Sequence, residues 1–293
     1  MFRTTLKGLM AHKLRMLLTA LAVVLGVGFI AGTYILTDTM NKTFDNLFTD
    51  ITEGDDVYVR AEKAFDTLSE DRAKIPAELL ETVRSVDGVG SAEGSIQGYA
   101  QLVDKDGEAI TPNGPPTIGV NWFESPGGAI EIRSGSAPQG PGEVAIDAGT
   151  ADKYDFAVGD EIEVLLLGPA ESFEVVGIIG FGEADNLAGA TLAAFDTATA
   201  ERVLDSEGEF DAIEVMAHDG VSDLDLKSRV AEVLPNGVDA STGTSVASEQ
   251  SQALQEGLGF FTTALLVFGY IALFVGAFII FTTFSIVVAQ RTR

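Results

Sequence analysis

The chain has two histidines, His12 and His218, and no cysteine. One histidine sits in a basic segment and the other in an acidic one. They make neither a zinc site nor a proton relay, and thiolate ligation and disulfides are excluded outright. Asp104-Lys105-Asp106-Gly107 opens like a calcium loop, but the acids beyond it miss EF-hand spacing, so a β-turn is expected there. Asp55-Asp56 and the Glu183, Asp185 pair could take a divalent cation loosely; among 44 Asp and Glu residues such neighbours arise by chance. There is no Walker A run for ATP hydrolysis and no GxSxG elbow for a serine nucleophile. Catalytic, cofactor-binding and metal-binding residues are therefore expected to be none, and the chain is not read as an enzyme.

The elements that must carry a function show in the charge distribution. The net charge is −26, yet the mean hydropathy is +0.24, because apolar and acidic residues are segregated. All 44 acids lie between Asp38 and Glu256. The flanks hold Arg3, Lys7, Lys13, Arg15, Arg291 and Arg293 and no acid. No basic face exists to meet a phosphate backbone, which excludes nucleic acid as a partner. Met16 to Thr37 carries no charge and, as a helix, reaches roughly 30 Å, the thickness of the hydrocarbon layer. Gly257 to Gln290 is also uncharged and exceeds one crossing, so it tilts or its first turns stand outside the lipid.

These stretches predict transmembrane helix 1 over 16–37 and transmembrane helix 2 over 257–290. A cleaved leader is the alternative for the first, but it is long for one, and Ile35-Leu36-Thr37-Asp38 is no small-residue cleavage site. The basic residues before the first span and after the second place both termini in the cytoplasm and the acidic segment outside a cell membrane. Phe2, Leu6, Leu9, Met10 and Leu14 recur at helical spacing, so 1–15 reads as an amphipathic helix on the inner leaflet, a ragged basic tail being the plainer alternative. Gly28 and Gly32 form a small-xxx-small pair that lets another helix approach. Thr282, Thr283 and Ser285 are expected to bond to the backbone rather than to an ion.

The outer segment, 38–256, is long enough for one large or two small domains. Asp55 to Ala61 alternates and reads as a strand; Pro76, Leu79, Leu80, Val83 and Val86 mark a short helix stopped by Gly88; Val89 to Val103 is strand-like. Phe210 to Met216, Val221 to Leu234 and Val238 to Thr242 repeat the order strand, helix, strand. Two such units predict an α+β fold of ferredoxin-like type. Between them, at about 110–200, lies a Gly- and Pro-rich insertion of short strands, read as a small β-barrel or sandwich. Its elements are a turn at Asn113-Gly114-Pro115-Pro116, strands at Ile118 to Trp122, Ile130 to Arg133 and Glu143 to Asp147, a helical turn at Ala148 to Tyr154, and Glu161 to Leu167 paired with Phe173 to Ile179. Asn41 to Phe48 continues the first span outward. Ser245 to Glu256 is helix-compatible and leads straight into the second.

Several of these runs also resemble the permease subunits of ABC transporters in the FtsX-like, MacB-like family, above all its actinobacterial members. Phe2-Arg3-Thr4-Thr5-Leu6-Lys7-Gly8-Leu9 with Ala11-His12-Lys13-Leu14-Arg15 is similar to the family's inner amphipathic helix, and Arg15 to Gly28 to its first span. Gly135 to Tyr154 followed by Phe156-Ala157-Val158-Gly159-Asp160 resembles its insertion motif, Phe173-Glu174-Val175-Val176-Gly177-Ile178 the strand after it, and Ser285 to Arg293 the cytoplasmic exit of the second span. The resemblance implies an MacB-like core domain and a permease working with a cytoplasmic P-loop ATPase and with further spans or a second permease copy. It also implies movement of a lipid, lipoprotein, peptide or drug, or control of an extracellular hydrolase. It implies ATPase-side roles for Arg3, Lys7, Lys13, Arg15, Arg291 and Arg293, helix packing at Gly28 and Gly32, and transmission through Ser245 to Glu256. In the family further spans follow the exit motif, so this chain is expected to be the front part of a longer permease, or a split or truncated copy. A two-span sensor or receptor and an adaptor that holds a cell-wall hydrolase have the same layout.

Overall fold

In a computed structural model, the structure describes residues 13–52, 54–63, 72–112, 117–124, 130–182, 184–187 and 189–291. The expected inner-leaflet helix apart from its last residues, the turn at 113–116, and Glu183 and Arg293 lie outside the described residues. The elements run α1 (Lys13–Ile51), β1 (Val57–Ala61), β2 (Ile75–Pro76), α2 (Leu79–Arg84), β3 (Val89–Ser95), β4 (Gln97–Gly98), β5 (Gln101–Leu102), β6 (Thr117–Trp122) and β7 (Ile130–Gly135). Then come β8 (Glu143–Asp147), α3 (Ala148–Tyr154), β9 (Glu161–Leu165), β10 (Glu171–Phe181), β11 (Thr191–Asp196), α4 (Thr197–Val203), β12 (Glu209–Phe210) and β13 (Ala212–Ala217). The last are α5 (Asp223–Ala231), β14 (Val238–Thr242) and α6 (Gly243–Arg291). These form two units, a helical pair made of 13–43 with 252–291 and a domain spanning Phe44–Ser251.

In the helical pair, α1 and α6 run antiparallel. Gly26 faces the backbone of Leu273, Gly269 faces Phe29 and Ile30, and the hydroxyls of Thr37 and Thr262 are 3.2 Å apart. Gly269 is buried, and a Cβ at that position would come within 2.7 Å of Ile30 Cγ1, so a larger residue would force a shift. The remaining faces are apolar and exposed, as at Val24, Leu25 and Ile35 on α1 and Phe260, Phe268 and Phe274 on α6. Over Val23–Asn46 and Gly243–Thr282 these helices are long and apolar enough to cross a membrane. Thr33 donates to Phe29 O at 2.9 Å and Thr282 to Phe278 O at 3.0 Å, so these hydroxyls are spent on the backbone.

The domain is α+β and has two main sheets. The first is antiparallel, in the order β14-β1-β13-β3. Val57, Val59, Ile213 and Val215 alternate onto one face, where α2 and α5 bring Val83, Leu226 and Val230, all fully buried. The strand-helix-strand units at the two ends of the domain interleave here: β1 lies between β14 and β13, and β13 lies between β1 and β3.

The second sheet is mixed, in the order β4-β6-β11-β8-β10-β9-β5, with β7 beside β10. The β10/β8 and β11/β6 pairs are parallel. β9 and β10 form the expected hairpin, with Phe173 opposite Ile162. β5, at one end of this order, also lies close to β6 and β11, so the sheet curls back on itself. It is buried on both faces: Val144, Ile146 and Phe195 join the main core, while Ala145, Leu192 and Ala194 join a second apolar cluster. Phe173 and Phe195 pack with ring centroids 4.9 Å apart; each buried ring is worth about 1.5–3 kcal/mol. Gly135 is required where β7 crosses β10: its φ is +79°, and a Cβ would meet Val176 O at 2.1 Å.

Candidate functional site

The chemistry of the domain concentrates where the end of α1 and the first turns of α6 meet the four-stranded sheet. Gly243 opens α6 and donates its N–H to Asp56 O at 3.1 Å. A Cβ there would strike Asp55 O at 2.2 Å, so only glycine permits this approach. Six residues on, Glu249 receives three cations. Arg72 reaches it at 3.0 Å, and Arg60 and Lys63 also pair with it. Arg60 sits on β1 and Lys63 just after it; Arg72 also donates to Ala61 O at 2.7 Å. The side chains of Arg60 and Arg72 are only 10% and 14% exposed. Among the described residues the Nε atoms of both are buried without a hydrogen-bond partner.

Burial works against ionising Glu249. The hydrogen bonds from Lys63 and Arg60 and the charges of Arg60 and Arg72 overcome it and hold its carboxyl down at about 2.

The neighbouring carboxyls are driven the other way. Tyr58 donates to Asp55 Oδ2 at 2.8 Å, and Glu214, directly opposite Tyr58 on β13, shares a hydrogen bond with Asp55. Withdrawal from water pushes the Glu214 carboxyl up to about 8, with the charge of Asp55 adding to it; the residue as a whole keeps some exposure. Burial likewise raises Asp55, against the hydrogen bond from Tyr58. Asp55 also lines an open cleft of about 870 Å³ bordered by Asp45, Asp56, Ser222, Asp223 and Ser248. Its carboxylates and hydroxyls make it hospitable to a cation or a neutral polar group and hostile to an anion.

The acidic pairs singled out in the sequence have structural work. Asp56 accepts Ala217 N–H at 2.6 Å, and Asp185 pairs with Arg133. Asp104 accepts the N–H groups of Asp106 at 3.0 Å and Glu108 at 2.9 Å, which is the expected turn. His218 lies in the turn after β13, its N–H donating to Gly88 O at 2.8 Å, and His12 is outside the described residues. No group of three or more His, Asp or Glu among the described residues is placed to hold a metal ion.

Within this chain Gly28 and Gly32 have nothing within 4 Å of a Cβ placed there, and α1 and α6 approach each other closely at Gly26 and Gly269. Lys13, Arg15 and Arg291 fall within α1 and α6, while Arg3, Lys7 and Arg293 lie outside the described residues. Sequence reasoning missed Glu249 as a meeting point. Its only local sign is a lone acid in a polar stretch, and its partner Arg60 is 189 residues away.

The family model described as the MacB-like periplasmic core domain matches residues 16–233. The chain belongs to this family.

Among solved structures, the MacB-like fold is shared with the periplasmic region of MacB from Actinobacillus actinomycetemcomitans, with a TM-score of 0.51 at 12% identity, covering 67% of this chain and 93% of that one. The extracellular domain of the noncanonic ABC-type transporter YknZ from Gram-positive bacteria aligns at 12% identity with a TM-score of 0.46, over 63% of this chain and 98% of that one. Among curated relatives, the uncharacterized ABC transporter permease protein Rv0987 of Mycobacterium tuberculosis is 28% identical over 152 residues. That alignment takes in 52% of this chain and 17% of the relative, so the chain matches a minor part of that protein's length.

Proposed function

We propose that this chain is part of an ABC transporter permease, in which ATP hydrolysis by a separate cytoplasmic P-loop ATPase moves an extracytoplasmic MacB-like domain. The observation that carries the reading is membership of the MacB-like periplasmic core domain family together with two apolar helices of spanning length on either side of that domain. The domain carries no catalysis of its own and acts by changing position. Its four-stranded sheet has the strand order of a ferredoxin-like unit, into which the mixed sheet is inserted.

The working division is an inner-leaflet helix over 1–15, spans over 16–37 and 257–290, a core domain over 38–256 with its insertion at about 110–200, and a cytoplasmic end at 291–293. Both ends face the cytoplasm of a cell membrane, as the positive-inside rule requires of Arg3, Lys7, Lys13, Arg15, Arg291 and Arg293. These cations lie on the ATPase side. Gly28 and Gly32, open along α1, receive a further span or a second permease copy. The cargo is a lipid, lipoprotein, peptide or drug met outside the cell, or the same motion drives an extracellular hydrolase or lipoprotein partner.

The test is purification of the natively expressed protein from detergent-solubilised membranes through a tag at Met1, with mass spectrometry of what accompanies it. Stoichiometric recovery of a P-loop ATPase, repeated when the ATPase carries the tag, is the expected result. Recovery of the permease free of any ATPase in both directions overturns the reading.

A further inference from the structure

We propose that Glu249 is a positioning residue that fixes the first turns of α6 to the four-stranded sheet, so that this stretch of helix and the sheet move as one body. The inference deepens the function proposed above, because it names the contact through which movement of α6 reaches the domain.

The argument is mechanical and electrostatic. A helix held at one point can pivot; a second point fixes the direction of its axis. The first point is Gly243, whose N–H bonds to Asp56 O and whose missing Cβ lets it lie against Asp55. The second is Glu249, about 9 Å further along the helix. Its carboxylate is gripped from two segments, by Arg60 and Lys63 at and after the end of β1 and by Arg72 nine residues beyond. Ser251, one half-turn on, hydrogen-bonds Asp45 of α1. Glu249 joins α6 to β1 through Arg60.

The cluster is lopsided in a way that favours a fixed arrangement. Three cations meet one carboxylate, and two of the cations are nearly buried. Without Glu249 the two guanidiniums and Lys63 would lose the carboxylate that they share, which leaves nearly buried positive charges uncompensated at that point. Beyond Glu249, Arg72 donates to Ala61 O, while the Nε atoms of Arg60 and Arg72 are, among the described residues, buried without a partner. In a domain rich in acids, three cations from β1 and the segments after it gather around one carboxylate of α6.

The chain has no cysteine, so Ser85 at the end of α2 and Ser248 on α6, both exposed, can be replaced as a spin-label pair without background. The distance between the labels is measured in the full-length permease with its accompanying ATPase in lipid nanodiscs, without nucleotide and after trapping with ATP and vanadate. The expected result is one narrow distance peak, unchanged by trapping, in the parent and in Glu249→Asp. Loss of that single peak is expected in Glu249→Gln, while ATP hydrolysis continues. Arg72→Gln, which keeps two of the three cations, should broaden the peak less and serves if Glu249→Gln does not fold. A peak that stays narrow in both variants overturns the proposal, as does a parent peak that shifts on trapping. If no ATPase accompanies the permease, the transporter reading fails separately, and the nucleotide-free peak still decides the anchor.

Discussion

At the scale of single residues, Glu249 and Glu214 sit close to the same sheet with opposite settings. Glu249 is held charged by Arg60, Lys63 and Arg72; Glu214 is held protonated by withdrawal from water beside Asp55. Replacing Glu249 by Gln leaves two nearly buried guanidiniums without their anion. Because 27% of the carboxylate side chain is wet, the loss should fall below that of a fully buried pair, at about 1–3 kcal/mol, read as a lower unfolding temperature of the detergent-solubilised protein. An unchanged unfolding temperature would show that water replaces the carboxylate at no cost. The two residues also set a pH dependence. Glu249 goes from an ordinary 4.5 to about 2 on folding, so its contribution is present above 4.5 and is lost as pH falls through 2. Glu214 goes from 4.5 to about 8, so its contribution is present below 4.5 and is lost as pH rises through 8. Burial raises Asp147 and Asp211 as well, and they act in the same direction as Glu214. Stability should therefore peak at mildly acidic pH, about 5, and decline toward pH 8. A thermal unfolding series that rises steadily from pH 5 to pH 8 would contradict this. Replacing Glu214 by Gln should flatten the decline.

At the scale of elements, the mixed sheet uses one device twice. β8 ends at Asp147, which accepts Thr150 N–H at 2.8 Å and caps α3; β11 ends at Asp196, which accepts Thr199 N–H at 3.2 Å and caps α4. Asp147 is fully buried and also takes Leu192 N–H at 2.9 Å, which joins the two copies. Asp147→Ala should thus cost about 2–4 kcal/mol, for the cap and a stranded buried N–H together, against about 1 kcal/mol for Asp196→Ala. Equal losses in chemical unfolding would refute the distinction. In the helical pair, Gly269→Val collides with Ile30 and should abolish disulfide formation between cysteines placed at Thr37 and Thr262. Gly28→Val, facing open space, should leave it intact.

These elements were unequally legible. Glu143–Asp147, Ala148–Tyr154 and Val238–Thr242 stand where the sequence pattern puts them, because a strand ending in Asp before a small-residue helix and a short run restarting after Pro235 and Gly237 are local signals. Thr191–Val203 was passed over. Its strand is buried on both faces, so Thr191-Leu192-Ala193-Ala194-Phe195 lacks the alternation that marks a half-buried strand, and its alanines read equally as helix. The Asp196 to Thr199 spacing, matching Asp147 to Thr150, was the signal available. The anchor at Glu249 had no such signal, since Arg60 and Glu249 are brought together only by the pairing of β1 with β14 and the start of α6 just after it.

At the scale of the molecule, the segregation of charge from hydropathy matches the division of the chain: all acids but Asp38 and Glu256 lie in the unit Phe44–Ser251, and the apolar stretches lie in the helical unit. The acidic domain is flanked by two helices long and apolar enough to cross a membrane, and the proposed function puts the domain in water and the helices in lipid. Family membership supplies the domain's class, and α6 runs from Gly243 to Arg291. In the proposed function this domain stands outside the cell and answers to ATP inside it. Leu224, 65% exposed on α5, can be made the chain's single cysteine. In sealed right-side-out vesicles holding the native permease complex, an impermeant maleimide added outside should label that cysteine, and ATP loaded inside should change the rate of labelling. Protection of the cysteine from the outside reagent would contradict the account, as would a rate indifferent to internal ATP while that ATP is being hydrolysed.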